Sequence, residues 1–142
     1  MVLDSIPNIT RKTTPAFELA LPVLFLSGIQ HMAETPEGMA KMPAYVVDYL
    51  KDIPTNWDES KFIDGYPGKY VVMARKKDNV WHIVGINAEN TAREMEIDLS
   101  FVSNASGFMI SENEKGFQLN LVSKSTKLKV TMKAHGGFVA KL

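Results

Sequence analysis

Three acidic residues lie close together in the sequence and could form a catalytic pair. Asp58, Glu59 and Asp64 fall in residues 57–64, which show no clear periodicity and which we interpret as a connector. Enzymes that hydrolyse glycosidic bonds use two carboxyl groups about 5–10 Å apart. Carboxylates in loops are far more often solvated surface groups, so a small enzyme built on these residues is the weakest of our functional hypotheses.

The three histidines do not follow a metal-binding pattern. His31 falls in a predicted helix, His82 in a predicted strand and His135 between two later predicted strands, and no HExxH frame is present. The hydroxyl residues lack a GxSxG frame, and the turn at residues 65–68 lacks the GK[ST] ending of a phosphate loop. We therefore assign no catalytic, cofactor-binding or metal-binding residue.

Aromatic residues cluster near the middle of the chain, where Trp57, Tyr66, Tyr70 and Trp81 lie within a short stretch. Sugar-binding modules stack rings on such side chains, so a stand-alone carbohydrate-binding module using Trp57, Tyr66 and Trp81 is the alternative hypothesis. The competing interpretation is that the rings close a seam between a β-rich domain and its neighbour. We favour the seam, because strand residues alternate between faces and Tyr70 or Trp81 should point inward.

The composition argues against several kinds of partner. The 142 residues carry 16 basic and 16 acidic side chains, so no excess positive charge is available to bind nucleic acid or an anionic membrane. The longest apolar run, residues 19–26, contains Pro22 and is far shorter than the roughly 20 residues that cross a bilayer. Cysteine is absent, which excludes disulfides and thiol chemistry. Glycosylation sequons occur at Asn8 and Asn104.

The first third of the chain has the pattern of helices. Thr14-Pro15 and Thr35-Pro36 each combine a hydroxyl N-cap with proline at the first helical position, and Pro43 opens a third helical turn. We predict the first helix over residues 15–32, with a kink or break at Pro22. Its apolar residues spread around the whole helical wheel, which is typical of a helix buried inside a larger protein.

From about residue 56 the apolar period changes from 3.6 to 2, which indicates strands. Residues 62–87 predict a turn and then a hairpin, with strands over 69–75 and 80–87 joined by polar residues 76–79. Alternating patterns predict further strands over residues 93–101, 107–111, 117–121, 127–133 and 137–142. We therefore predict a mainly β fold, in which a helical segment (1–55) precedes an antiparallel β-sandwich domain of about seven strands (56–142).

Three stretches within residues 13–90 carry a family resemblance: TTPAFELALPVLFLSGIQHMAETPEGM, PAYVVDYLKDIPTNWDESKFIDGYPGKYVVMARK and VWHIVGINAEN. They resemble the C-terminal region of the family-97 glycoside hydrolases, the α-glucosidases and α-galactosidases of Bacteroides-type bacteria. The segment WDESKFIDGYPGKYVVMAR is the most distinctive part. Beyond residue 91 the likeness rests on the strand pattern and the terminal GGFVAKL.

The resemblance implies that the two parts of the chain belong to different domains of the parent enzyme. Residues 1–55 look like the last helices of a catalytic (β/α)8 barrel, and residues 56–142 look like the C-terminal β-sandwich that the family associates with oligomer contacts. The implied partners are the catalytic barrel of the parent enzyme and further copies, with carbohydrate left open by the alternative hypothesis.

The resemblance also implies that the family's catalytic carboxylates and calcium ligands lie upstream, so no residue here inherits those roles. We expect a non-catalytic C-terminal fragment that is inactive alone and has a structural and oligomerisation role. The parent family is expected to be periplasmic or secreted, although no secretory signal is visible at Met1.

Overall fold

The computed structural model describes residues 11–103, 106–123 and 127–142, and these form three layers. Helices cover one face of a six-stranded sheet, and a two-stranded sheet covers its other face. The sequon asparagines Asn8 and Asn104, and most of the segment before the first helix, lie outside the described residues.

Three helices occupy the first third of the chain: α1 (Pro15–Leu24), α2 (Pro36–Ala40) and α3 (Ala44–Lys51). The Thr14 hydroxyl accepts a hydrogen bond from the Phe17 N–H at 3.4 Å. The Thr35 hydroxyl likewise accepts one from the Gly38 N–H at 3.0 Å. The predicted Thr-Pro helix starts are therefore confirmed.

The first helix ends earlier than the sequence predicts, at Leu24 and not at Met32. Pro22 has no N–H to donate within the helix, and Phe25 is already extended, with ψ 127°. The Gln30 side chain instead donates to the Pro22 carbonyl at 2.9 Å. The stretch that follows α1 is therefore non-helical and carries exposed apolar side chains.

Eight strands are present in the described residues: β1 (Glu59–Tyr66), β2 (Tyr70–Lys77), β3 (Val80–Asn87), β4 (Arg93–Asp98), β5 (Ser106–Asn113), β6 (Gly116–Ser123), β7 (Lys127–Met132) and β8 (Gly137–Lys141). The predicted hairpin and the five later strands are confirmed, but our interpretation of residues 57–64 as a connector was wrong. Most of that stretch is β1, an edge strand with a bulge between Phe62 and Asp64. The bulge breaks the alternation by which strands are recognised.

All strand pairs in the described part of the chain are antiparallel. The large sheet has the order β1-β2-β3-β8-β5-β6, and β4 pairs with β7 in the small sheet. The mainly β, antiparallel fold preceded by helices is thus confirmed, with unequal sheets of six and two strands. No helix in the described residues is long and apolar enough to cross a membrane.

Two cores flank the large sheet. Between the sheets, Val72, Ile83 and Phe138 pack against Leu128 and Val130 of β7. On the opposite face, α1 and α3 bury one side each against Val84, Ile110 and Val139 of the large sheet. The helices and the large sheet therefore share a hydrophobic core, while the division into domains at residue 55 stays a prediction.

Candidate functional site

The helix-bearing face of the large sheet carries a line of polar side chains in register across four strands. Ser60 pairs with Arg75, Arg75 with His82, and His82 with Lys141. Directly paired residues in a sheet point to the same face. We call these four residues the anchoring row, because three of them contact the helices above.

Arg75 anchors the end of α1. Its side chain donates to the carbonyls of Val23 at 2.6 Å and Leu24 at 2.9 Å, and to the Ser60 hydroxyl at 2.5 Å. The last carbonyls of a helix lack partners within the helix and carry partial negative charge, so a guanidinium is well suited to satisfy them. Arg75 is only 4% exposed, and burial lowers its pKa.

His82 packs beneath α3 and the segment after it. Its ring centroid lies 6.1 Å from that of Tyr49 and 5.1 Å from that of Trp57. Within the described residues, neither the His82 Nδ1 nor the Tyr49 hydroxyl has a hydrogen-bond partner. Burial away from water lowers the pKa of His82 to about 4, so the ring is neutral at pH 7.

The remaining contacts fix α3. Lys141 forms an ion pair with Asp52, the residue that caps the C-terminus of α3. The Tyr45 hydroxyl donates to the Phe117 carbonyl of β6 at 3.0 Å. Both helices are therefore held by side-chain contacts as well as by their buried apolar faces.

The centre of this face is covered, but exposed large apolar side chains remain at its margins. One group follows α1, where Phe25, Leu26 and Ile29 are 62%, 70% and 72% exposed. The others lie on the two edge strands of the sheet: Phe62 and Tyr66 on β1, and Leu119 and Leu121 on β6. Patches of this kind mark surfaces that contact other proteins more often than isolated exposed residues do.

Two open grooves adjoin these margins. A groove of about 440 Å³ near the β1–β2 turn is lined by residues that include Phe62, Tyr66 and Ile86. A second groove, of about 530 Å³, runs between α3 and the β5–β6 hairpin and is lined by residues that include Tyr45, Tyr49, Phe108 and Leu119. The first groove is lined mainly by apolar residues and glycines, whereas Asp48, Lys51 and Asp52 also line the second.

The candidate catalytic carboxylates are not brought together. Asp58 accepts hydrogen bonds from the Lys77 ammonium at 3.0 Å and from the Asp78 N–H at 2.6 Å, and these bonds, that to Lys77 foremost, lower its pKa. Asp64 lies near the other end of β1, about 20 Å along the strand at roughly 3.3 Å per residue. Glu59 is exposed at the start of β1. Asp58 therefore stabilises the turn between β2 and β3, and Asp64 lies too far from it to complete the hypothesised acid pair.

The histidines are also dispersed. His31 is exposed after α1, His82 is buried under α3, and His135 lies in the loop before β8 with its Nε2 2.7 Å from the Asn90 side-chain oxygen. No group of three His, Asp or Glu side chains in the described residues could hold a metal ion.

The three rings of the carbohydrate-binding hypothesis do not form one platform. Trp81 is buried between the two sheets, edge-on to Phe101 at 4.9 Å. Trp57 packs on the opposite, helix-bearing face, and Tyr66 is exposed at the end of β1. The structure does not support a shared sugar-binding face, whereas Trp57 does close a seam between helix and sheet.

Comparison with known families assigns the chain. Residues 56–142 match the model of the family described as "Glycosyl-hydrolase 97 C-terminal, oligomerisation". The chain belongs to this family. The sequence-based assignment to the C-terminal region of family-97 (GH97) enzymes, with its oligomerisation role, is therefore confirmed, and the carbohydrate-binding alternative gains no support.

Two curated relatives place this GH97 C-terminal chain among longer proteins. It is 33% identical over 135 residues to the retaining alpha-galactosidase of Bacteroides thetaiotaomicron, covering 88% of this chain and 20% of that protein. It is 31% identical over 137 residues to a probable retaining alpha-galactosidase of Streptomyces bingchenggensis, covering 94% and 21%. The chain thus spans about a fifth of the length of these relatives.

Solved structures give the same picture. A beta-arabinopyranosidase superposes with a TM-score of 0.86 at 32% identity, over 94% of this chain and 22% of the other. A GH97 enzyme from Pseudoalteromonas sp. strain K8, in complex with panose, superposes with a TM-score of 0.78 at 28% identity, over 92% and 22%. The matched regions include the helices as well as the β-sandwich.

The anchoring row is the feature that the sequence analysis missed. One signal was available, because Arg75 follows Val71 and Met73, apolar residues on the same face of β2. A charge at an inward-facing strand position predicts a specific buried partner. The identity of that partner, the end of α1, depends on the tertiary fold.

Proposed function

We propose that this chain is the non-catalytic C-terminal part of an α-glycosidase, in which it joins copies of the enzyme and braces the catalytic barrel. The observation that carries the proposal is that large apolar side chains are exposed at the margins of the helix-bearing face, in a chain that belongs to a GH97 oligomerisation family. The relatives act on α-galactosides by their names. An α-galactoside is accordingly the substrate class that we propose for the parent enzyme.

The segment after α1 is the surface that we assign to the barrel. Residues before 56 lie outside the family model, yet the relatives and solved structures match nearly all of the chain. In those longer proteins the helices therefore belong to the region that precedes the C-terminal domain. Phe25, Leu26 and Ile29 extend from α1 and are exposed, as expected of side chains that pack against that preceding region.

The calcium implied by the family resemblance does not fit the described part of this chain. A calcium site uses six to eight oxygen ligands, several of them carboxylates. In the described residues no three metal-binding side chains converge. We therefore propose that the metal and the catalytic carboxylates belong to other parts of the parent enzyme.

The test of this proposal is hydrolysis by the purified 142-residue chain. Aryl α-galactosides and aryl α-glucosides are incubated with the chain in the presence of calcium, and release of the aryl group is followed. We expect no turnover above that of buffer. Turnover that disappears in Asp58→Asn, Glu59→Gln or Asp64→Asn would show that the chain carries its own active site and would overturn the non-catalytic assignment.

A further inference from the structure

Among the described residues, the strand edges are protected against pairing with other strands, with one exception. At one edge of the large sheet, β1 carries Glu59, Lys61 and Asp64 and contains a bulge. The small sheet places charged residues along both of its strands: Glu94, Glu96 and Asp98 on β4, and Lys127 and Lys129 on β7. Charges and bulges are the devices by which natural sheets prevent edge-to-edge association.

The exception is β6, at the opposite edge of the large sheet. Its sequence GFQLNLVS contains no charged residue and no proline, and it pairs with β5 in unbroken register from Gly116 to Ser123. No strand among the described residues pairs with its other side. Leu119 is 41% exposed and Leu121 is 88% exposed. This is a long, regular and apolar edge, which is the kind that recruits another strand.

The backbone of β6 is arranged to accept such a strand. In an antiparallel pair, the N–H and C=O groups of every second residue point away from the partner strand. The Phe117 carbonyl is one of these outward groups, because it accepts the hydrogen bond from the Tyr45 hydroxyl of α3. Because the direction of the backbone groups alternates along a strand, the N–H and C=O groups of Leu119 and Leu121 also point outward.

We propose that β6 pairs antiparallel with β6 of a second copy of this chain, about a twofold axis that passes through Asn120. In this register Leu119 of each copy lies opposite Leu121 of the other copy. The outward N–H and C=O groups of all four leucines then form hydrogen bonds between the two strands. Asn120 faces its own counterpart across the axis. The pairing is self-complementary and joins two six-stranded sheets into one of twelve strands.

The side chains support the same register. Leu121 projects from the helix-bearing face, where it is register partner to Phe108. The groove between α3 and the β5–β6 hairpin is lined on that face by Leu119, Phe108 and Tyr49. A partner strand centred on Asn120 places its own Leu121 beside Leu119, at the mouth of this groove. The two copies would thus bury each other's most exposed large apolar side chain.

A second copy is the occupant that the observations favour. The strand carries no charge that would repel its own copy. In the antiparallel register, Leu119 and Leu121 each lie opposite a leucine of the second copy. The inference rests on the proposed oligomerisation role and specifies the surface that performs it. The axis stands perpendicular to the sheet, so the helices and the segment after α1 remain on one side of both copies, accessible to the catalytic barrel.

Cysteine cross-linking tests the register directly, because the chain has no cysteine of its own. Asn120→Cys brings two thiols together across the axis at a Cα separation of about 4.5 Å, within the disulfide range. Gln118→Cys on the same strand and face is the matched control. Its thiols would be separated by four residues along the strands, roughly 13 Å, and cannot form a bridge. We expect a disulfide-linked dimer from Asn120→Cys and none from Gln118→Cys under mild oxidation.

Light scattering of two lysine variants tests the β6 surface separately from the oligomerisation role. Leu121→Lys should shift the dimer of the 142-residue chain to monomer at equal concentration, whereas Thr131→Lys, at an exposed position on β7 of the small sheet, should not. The β6 proposal is overturned if the chain is a dimer, the Leu121→Lys variant is also a dimer, and Asn120→Cys does not cross-link. The oligomerisation role would still stand in that case. If the unmodified chain is monomeric at every concentration, both are overturned.

Discussion

Arg75 illustrates how one buried charge can determine where a helix ends. After Pro22 the polypeptide leaves the helix, and the carbonyls of Val23 and Leu24 need donors in an environment that excludes water. The guanidinium supplies two donors from the sheet below and a third to Ser60. An unmet buried carbonyl costs about 1–3 kcal/mol, which is a substantial share of the stability of a small domain.

Replacing this arginine by an apolar side chain should therefore destabilise the fold. We expect Arg75→Met to lower the free energy of unfolding by about 2–3 kcal/mol, because both carbonyls lose their donors. Urea unfolding followed by tryptophan fluorescence measures the change. Lys129→Met, at an exposed position, serves as the control and should change stability by at most about 0.5 kcal/mol. Equal effects of the two variants would contradict the anchoring role.

His82 makes the helix–sheet contact sensitive to pH. The unfolded chain takes up a proton on this histidine as the pH falls through 6.5, whereas in the folded chain burial delays uptake until pH about 4. The unfolded state is therefore favoured progressively between these values, and the contribution to stability present above pH 6.5 is lost by about pH 4. Arg75 and Lys141 flank the ring in the anchoring row, and the Tyr49 hydroxyl is the nearby neutral group.

A variant that cannot titrate isolates this effect. Between pH 7 and pH 4.5, we expect unmodified protein to lose about 2–3 kcal/mol more unfolding free energy than His82→Gln. Carboxylates titrate in both proteins, so their contribution cancels in the difference. Parallel pH profiles for the two proteins would show that His82 is solvated or already charged in the fold.

At the scale of elements, the sequence predicted the features that neighbouring residues determine, such as helix starts and the inward-facing residues of strands. Two Thr-Pro starts gave the beginnings of α1 and α2, and the alternation in residues 127–133 placed Leu128, Val130 and Met132 in the core. Pro22 indicated a break in α1, but the sequence did not show that Arg75, some fifty residues away, binds the carbonyls of its last two residues. Strand β1 was missed because its bulge and its edge position remove the alternation that marks a strand.

The β2–β3 hairpin, by contrast, depends on a turn whose chemistry is readable. Lys77 pairs with Val80, which leaves Asp78 and Asn79 as the two turn residues, and Asp78 adopts φ 53°. A β-branched side chain is poorly tolerated in this left-handed conformation.

Substitution at this turn should reveal its strain. We expect Asp78→Val to lower the free energy of unfolding by about 1–2 kcal/mol, whereas Asp78→Gly retains the conformation without a steric cost. The two variants are compared with unmodified protein by thermal unfolding. A stability of Asp78→Val equal to that of Asp78→Gly would mean that the turn relaxes to another conformation.

At the scale of the whole molecule, the distribution of exposed apolar side chains carries the functional argument. The sheets bury one core between them, the helices bury a second, and what remains exposed lies after α1 and along the sheet edges. The apolar residues all around the helix predicted over residues 15–32 indicated that this part of the chain is buried inside a larger protein. It gave no indication of the β6 edge, because strand order and edge position come from the tertiary pairing.

The central proposal is that this GH97 C-terminal chain associates with its own copies. Sedimentation equilibrium of the purified chain from about 1 to 100 μM tests it most directly, since the apparent mass of a dimerising protein depends on concentration. We predict that the weight-average mass rises from the 15.8 kDa of one chain towards twice that value. A mass that stays at 15.8 kDa throughout the range would contradict the account.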